Sequence, residues 1–383
     1  MSKILKYLTY LLVFLAIFSL GLYFLGYGYI FRAVQVTYLN GHKTAFIDDY
    51  IYFDNRIIAA PETIQEWPVH PGKDSIKPTK ELERLNAELN TAAFLIIKND
   101  RIWFEEYFSE FTQNSRTNSF SMAKTITTAM LFKAIQEGYI KNMDQPVADF
   151  FPQFDKKLTL GDLSSMASGL NWDENYYNPF ASTARGYFGK NIREQILELK
   201  MVNEPGAEFE YLSGNTELLG MVLEKATGHS LSAYLSESFW KPLGMNSEAY
   251  WQLDSEQSGM EKAYCCIASN ARNFAKFGKL FNHYGEWEGK QLIDSAFITK
   301  ATQLRFEATP FYGYSFWLSD HLDKKIFYMR GVLGQYVICI PEDDLIIVRL
   351  GEKVLPKRAG ENHYEDFYLY IDEVYKMLKT NAS

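Results

Sequence analysis

From Tyr7 to Phe31 the chain carries no charged residue, reading YLTYLLVFLAIFSLGLYFLGYGYIF. Backbone amides in hydrocarbon find no water, so an apolar run of this length must close its hydrogen bonds internally as a helix. It is long enough to cross the roughly 30 Å hydrocarbon layer. A cleaved signal peptide has a shorter apolar core followed by small residues, whereas this run ends in Tyr23, Phe24, Tyr27, Tyr29 and Phe31, aromatics suited to a membrane interface. Residues 1–33 therefore read as a retained signal anchor. Lys3 and Lys6 keep the amino end cytoplasmic, with Arg32 and Lys43 weakening the asymmetry. The expected protein is single-pass in the inner membrane, with its large domain on the extracytoplasmic, periplasmic side.

Beyond the anchor, Pro61, Pro68, Pro71 and Pro78 break any long element, so residues 34–83 read as a stalk and lead-in. A domain over 84–383 follows. AAFLIIKND from Ala92, then RIWFEEYF, has the form of a hairpin. Helical periodicity runs from Ser121 to Gly138, and again over Ile192–Leu199, Thr216–Ala226 and Leu231–Phe239, in a helical insertion spanning about 140–255. The helix ARNFAKFGKLFNHYG leads to strand-like runs at Tyr312–Leu318, Tyr336–Ile340 and Leu345–Leu350, and a last helix covers Tyr364–Leu378. Strands at both ends with helices between predict an α+β domain, an antiparallel sheet with an all-α insertion.

A net charge of −8 with no Lys/Arg run offers nothing to a phosphate backbone, which excludes nucleic acid as partner. Cys265, Cys266 and Cys339 make an odd count, and the first two are adjacent, where a disulfide is hard to close. The expectation is buried small residues, with a single bridge from Cys339 left open. His42, His70, His229, His283, His321 and His363 show no paired ligand spacing, so no metal or other cofactor is expected.

Serine is a weak nucleophile that needs a base and donors for the oxyanion. Ser121-Met122-Ala123-Lys124 puts a hydroxyl and an amine on one face at the start of a predicted helix, where a desolvated lysine can lose its proton more readily. Ser238-Phe239-Trp240-Lys241 has the same spelling but ends a helix before Pro242, so its lysine should leave that face. Tyr211-Leu212-Ser213, just ahead of another helix, offers a phenol that Lys124 could hold as phenolate, with Ser213 adding a hydrogen bond. In Met329-Arg330-Gly331-Val332 the glycine lets backbone approach a ligand. Trp172, Tyr176 and Tyr177 lie on an acidic loop read as the site's rim.

In this order, S-x-x-K at Ser121, Y-x-S at Tyr211 and a glycine strand at Gly331, the chain resembles the serine β-lactamase and penicillin-binding-protein superfamily. Flanking segments such as LTLGDLSSMASGLNWDE and FEYLSGNTELLGMVLEKATG extend the likeness from about Ala92 onward, toward the class C-like branch with its esterases and 6-aminohexanoate-dimer hydrolases. The resemblance implies Ser121 as acylated nucleophile, Lys124 as proton partner, Tyr211 as the group serving the leaving group, and the N–H groups of Ser121 and Val332 as oxyanion donors. Ser213 replaces the asparagine of the β-lactamase form. Met329 stands where that form has Lys or His, and Arg330, one residue along the strand, should point away. The implied activity is hydrolysis of a small ester, amide or peptide, with β-lactam hydrolysis, D-alanyl peptide hydrolysis and an acylated sensor without turnover as alternatives.

Overall fold

The computed structural model describes residues 3–381. Helix α1 (Lys3–Phe24) is exposed along its length. The uncharged run does not continue as one helix to Phe31: Gly26 takes φ of +85°, the chain turns, and α2 (Tyr29–Val36) starts in a new direction. Among the described residues α1 is the one helix long and apolar enough to cross a membrane.

The body is built on a six-stranded antiparallel sheet. Its strands are β1 (Thr91–Lys98), β2 (Arg101–Tyr107), β3 (Trp317–Ser319), β4 (Ile326–Gly331), β5 (Gln335–Ile340) and β6 (Leu345–Gly351), in spatial order β2-β1-β6-β5-β4-β3. The central strands read as unbroken apolar runs because both faces are covered. On β5, Val337 and Cys339 face the side of the core that holds the helix after Ser121, while Tyr336, Ile338 and Ile340 face the other. Helix α3 (Met122–Gln136), helix α4 (Ser213–Thr227) and helix α5 (Ala271–Asn282) belong to the first side, where a Cβ on Gly278 would come within 2.7 Å of Ile346 Cγ2. Helix α6 (Glu365–Thr380) covers the second with Phe367, Tyr370, Ile371, Val374 and Met377, a 3.6-residue stripe.

Several expectations are corrected. Residues 34–83 are no free stalk: Asn55–Ile58 pairs with Ala249–Gln252 in a second, four-stranded sheet, and Val36, Phe46 and Phe53 form their own buried cluster. The insertion is therefore not all-α to its end, since Ala249–Gln252 is a strand. Of Tyr312–Leu318 only Trp317 onward is strand; of Met329–Val332, the residues through Gly331 close β4 and Val332 opens the turn to β5. The helix from Leu231 becomes a π-turn over Ser236–Trp240. Cys265 and Cys266 are paired with each other, and Cys339 is a buried free thiol whose ionisation burial opposes.

Candidate active site

The turn leading to Ser121 is braced before the helix begins. Thr117–Asn118 pairs with Ile267–Ser269, and Ser119 donates its N–H to Ile267 O at 2.8 Å while its hydroxyl accepts from Ile267 N at 3.0 Å. Phe120 is held at φ of +44°, a conformation costing a bulky residue about 1–3 kcal/mol. Its N–H donates to Asn118 Oδ1 at 2.8 Å. The backbone thus turns sharply from strand into α3 and leaves Ser121 at the helix N-cap.

Asp49 is the unexpected brace of this turn. It is fully buried, accepting from Asn118 Nδ2 at 3.0 Å and from the Tyr187 hydroxyl at 2.7 Å, while Ile47 O accepts from Asn118 N at 2.6 Å. Burial pushes its carboxyl up to about 6 from the ordinary 3.8, against the hydrogen bonds from Tyr187 and Asn118. The folded protein then holds this proton more tightly than the unfolded chain. The contribution to stability is fully present below pH 3.8 and is lost as pH rises through 6, about 3 kcal/mol in all. In denaturant titrations of the full chain in detergent, the stability of the wild type minus that of Asp49→Asn should fall by about that amount between pH 3 and pH 7; a flat difference would refute the assignment.

The Ser121 hydroxyl caps no backbone N–H. It accepts instead from Lys124 Nζ at 3.0 Å, and the same ammonium donates to Ser213 Oγ at 3.0 Å and to Tyr264 O at 3.1 Å. Three donors meet three oxygens, as a buried cation requires. Lys124 is only 1% exposed. Its Nζ lies 5.1 Å from the Tyr211 ring centre and 5.4 Å from that of Tyr264. Helix α3 is fixed behind this pair by hydroxyl bonds, Thr125 to Ser315 O at 2.6 Å and Thr127 to Ala263 O at 2.8 Å.

Ser213 opens α4, and its neighbour Gly214 exists for Trp172: a Cβ there would come 2.7 Å from the indole Cε3. Trp172, expected at the rim, is buried as a wall of the site. The rim loop also supplies a group that went unread in the sequence, Glu174. One carboxylate oxygen accepts from Ser213 Oγ at 2.6 Å and from the Tyr176 hydroxyl, the other from Ser213 N at 2.6 Å and Trp172 Nε1 at 2.8 Å. Ser213 can therefore give its proton to Glu174 and its lone pair to Lys124. Desolvation of its hydroxyl end against Glu174, and the Glu174 charge, push the Tyr176 phenol well up, while the residue as a whole is 52% exposed. Tyr177 stands 97% exposed.

Gly331 ends β4 against the nucleophile turn. A Cβ there would overlap Ser119 O and come 3.1 Å from Phe120 Cβ, so the close approach requires glycine. Arg349 then fixes the following turn, donating to Leu333 O at 2.8 Å and Gly334 O at 2.9 Å. Val332 packs beside Phe120. Met329 is fully buried in the core, whereas Arg330 lies over the Trp317 ring at 3.1 Å and donates to Asn362 O at 3.1 Å. Trp317 in turn neighbours Tyr211, with ring centres 5.7 Å apart. The decoy pair is not assembled: Ser238 is buried in the π-turn and Lys241 binds Glu237. Among the described residues one metal-like cluster occurs, Asp100, His283 and Asp344. His283 Nε2 is 3.2 Å from both carboxylates and is pushed up to about 10 by them, and Lys279 also pairs with Asp100 at 3.2 Å. This is an ion-pair network by the β1–β2 turn.

A family model described as Beta-lactamase matches residues 79–369. The chain belongs to the beta-lactamase family. A 6-aminohexanoate-dimer hydrolase of Paenarthrobacter ureafaciens is 24% identical over 233 residues, which cover 57% of this chain and 58% of that relative. Protein flp of Staphylococcus aureus is 25% identical over 180 residues, 43% of this chain and 36% of its own length. The chain thus spans less than two thirds of either relative. Among solved structures, a Bacillus anthracis protein assigned as a 6-aminohexanoate-dimer hydrolase aligns with a TM-score of 0.73 at 21% identity, over 86% of this chain and 92% of that one. The last likeness is one of fold, and it extends the family's architecture over nearly the whole body of this chain.

Proposed function

We propose that this protein is a serine hydrolase that forms a covalent Ser121 ester with small ester or amide substrates, and that α1 holds it on the outer face of the membrane. The observation that carries the reading is Lys124 Nζ at 3.0 Å from Ser121 Oγ, with Ser213 and Tyr264 O taking its other two donors. Ser121 accepts from the ammonium, so its own proton is free to leave toward Tyr211, which takes it as the phenolate that the neighbouring ammonium favours. Its Oγ attacks the substrate carbonyl, and the oxyanion is met by the N–H of Ser121 at the N-terminus of α3, where the helix dipole favours negative charge, and by the N–H of Val332 just past β4. Collapse expels the alcohol or amine with the proton returned through Tyr211, and water then cleaves the acyl ester by the same route in reverse.

Met329 offers no cation to a substrate carboxylate, and Arg330 is engaged with Trp317 and Asn362. That favours an uncharged ester or amide over a β-lactam or a D-alanyl peptide. The likeness to a 6-aminohexanoate-dimer hydrolase supports keeping amides in the substrate set. The test is a panel of p-nitrophenyl esters, nitrocefin, D-alanyl peptides and aminohexanoate oligomers on the full chain in detergent, with intact-mass detection of acyl adducts. Turnover with an adduct on the Ser121 peptide is expected; no adduct and no turnover across the panel would end the reading.

Glu174 acts here as a positioning residue, because it touches Ser213 and not the reacting atoms. In Glu174→Gln the amide cannot accept at both ends, so one of the two Ser213 donors loses its partner and the hydroxyl is free to rotate away from Lys124. The expected result is kcat lowered about ten- to a hundredfold with KM within about threefold. A change confined to KM would move Glu174 into substrate binding.

A further inference from the structure

The loop from Trp172 to Ala181 ties the candidate site to the point where the chain leaves α1. At its inner end Glu174 holds Ser213. At its outer end the Tyr29 hydroxyl donates to Pro179 O at 3.0 Å, and the Tyr27 ring meets Phe180 edge-on at 5.2 Å. Tyr27 is three residues past Phe24, the last residue of α1, and its N–H donates back to Leu22 O at 2.9 Å, so it stays beside the helix's last turn. The headgroup layer on one side of a bilayer is roughly 5–8 Å deep. With α1 across the membrane, Phe180 lies at the level of that layer.

The loop's surface suits this position. Tyr177 is 97%, Phe180 56% and Tyr176 52% exposed, and Tyr23, Phe24 and Leu25 continue the exposed apolar surface on the anchor side. Clustered exposed aromatics are unusual in water and typical of membrane interfaces, where the ring is buried and the hydroxyl wet. Between α1 and the body opens a cleft of about 700 Å³ lined by Arg32, Arg185 and Lys190 as well as Asp54 and Glu194; Arg185 pairs with Glu198 at 3.0 Å and Arg32 donates to Asp254 O at 3.2 Å.

We infer that the loop Asp173–Phe180 rests in the headgroup layer of the bilayer that α1 crosses, and that the site takes as substrate the ester or amide of an amphiphile presented at that layer. The inference rests on the anchor and on the Ser121 hydrolase reading. It explains why one loop forms both the wall of the site at Trp172 and the contact with the membrane-proximal segment at Pro179: a substrate drawn from the bilayer passes directly beneath it.

The test places an environment-sensitive fluorophore on Tyr177→Cys, on Leu15→Cys in α1, and on Tyr139→Cys, an exposed residue beyond the far end of α3. Cys265 and Cys266 are paired and Cys339 is buried, so labelling is confined to the introduced thiol. The full chain is reconstituted in nanodiscs of phosphatidylethanolamine and phosphatidylglycerol containing a lipid with an acyl-chain nitroxide. Quenching of at least about twofold is expected at positions 15 and 177 and none at 139. Quenching at 15 without 177 overturns the inference and leaves the anchor standing; no quenching at 15 overturns both. For the substrate class, the ratio of p-nitrophenyl palmitate turnover in the disc to p-nitrophenyl acetate turnover in water should fall at least about fivefold in the Tyr177→Asp, Phe180→Asp double variant. An unchanged ratio with both esters cleaved sinks the amphiphile assignment, whereas failure of the wild type to cleave either ester sinks the hydrolase reading beneath it.

Discussion

Replacing Ser121 by alanine is expected to lower hydrolysis of short-chain p-nitrophenyl esters at least about a thousandfold and to remove the acyl adduct, while Ser238→Ala should stay within about twofold of wild type. The two serines share the spelling S-x-x-K, so the contrast isolates what placement contributes. Ser121 leaves a strained turn at Phe120 and meets Lys124 Nζ at 3.0 Å, whereas Ser238 is buried in a π-turn and its lysine pairs with Glu237. The alanine variant should fold as the wild type does, since the hydroxyl caps no helix N–H. Initial rates and intact-mass spectra on matched preparations decide the matter; activity surviving Ser121→Ala would remove this serine from the chemistry.

Lys124→Met should have nearly as large an effect on rate, about a thousandfold, with little effect on stability. Methionine fills most of the volume but offers no donors, so Ser121, Ser213 and Tyr264 O each lose a charge-assisted hydrogen bond of about 1.5–3 kcal/mol. Against this loss stands the desolvation cost of keeping an ammonium 1% exposed, which methionine does not carry. Thermal melts of the two proteins in the same detergent should therefore nearly coincide while their rates differ by orders of magnitude. A variant that melts far lower would recast Lys124 as structural, and one retaining a tenth of the activity would shift the proton-transfer role elsewhere.

The sheet was largely legible because its signals are local. Runs such as Ala92–Lys98 and Leu345–Leu350 are apolar and β-branched without alternation, which is what strands covered on both faces require. β4 was harder to read: Gly331 and Gly334 mark a turn, yet residues 326–331 pair with β5 on one side and β3 on the other. The lead-in was misread as a stalk because prolines rule out helices without saying whether the chain packs. Phe46 and Asp49 pack all the same.

The sequence by itself determined the membrane-length helix, the helix that sets Lys124 one turn from Ser121, and the family to which the chain belongs. All of these depend on neighbours within a turn of helix or a few residues of strand, where charge, periodicity and capping act. Only the tertiary structure decided what surrounds the lysine and braces the serine. Lys124 and Tyr264 O are 140 residues apart, Asn118 and Asp49 are 69, and Ser213 and Glu174 are 39. Contacts at such separations follow from which strands pair and which helices pack. A carboxylate such as Glu174 carries no spacing mark before the fold brings it to Ser213.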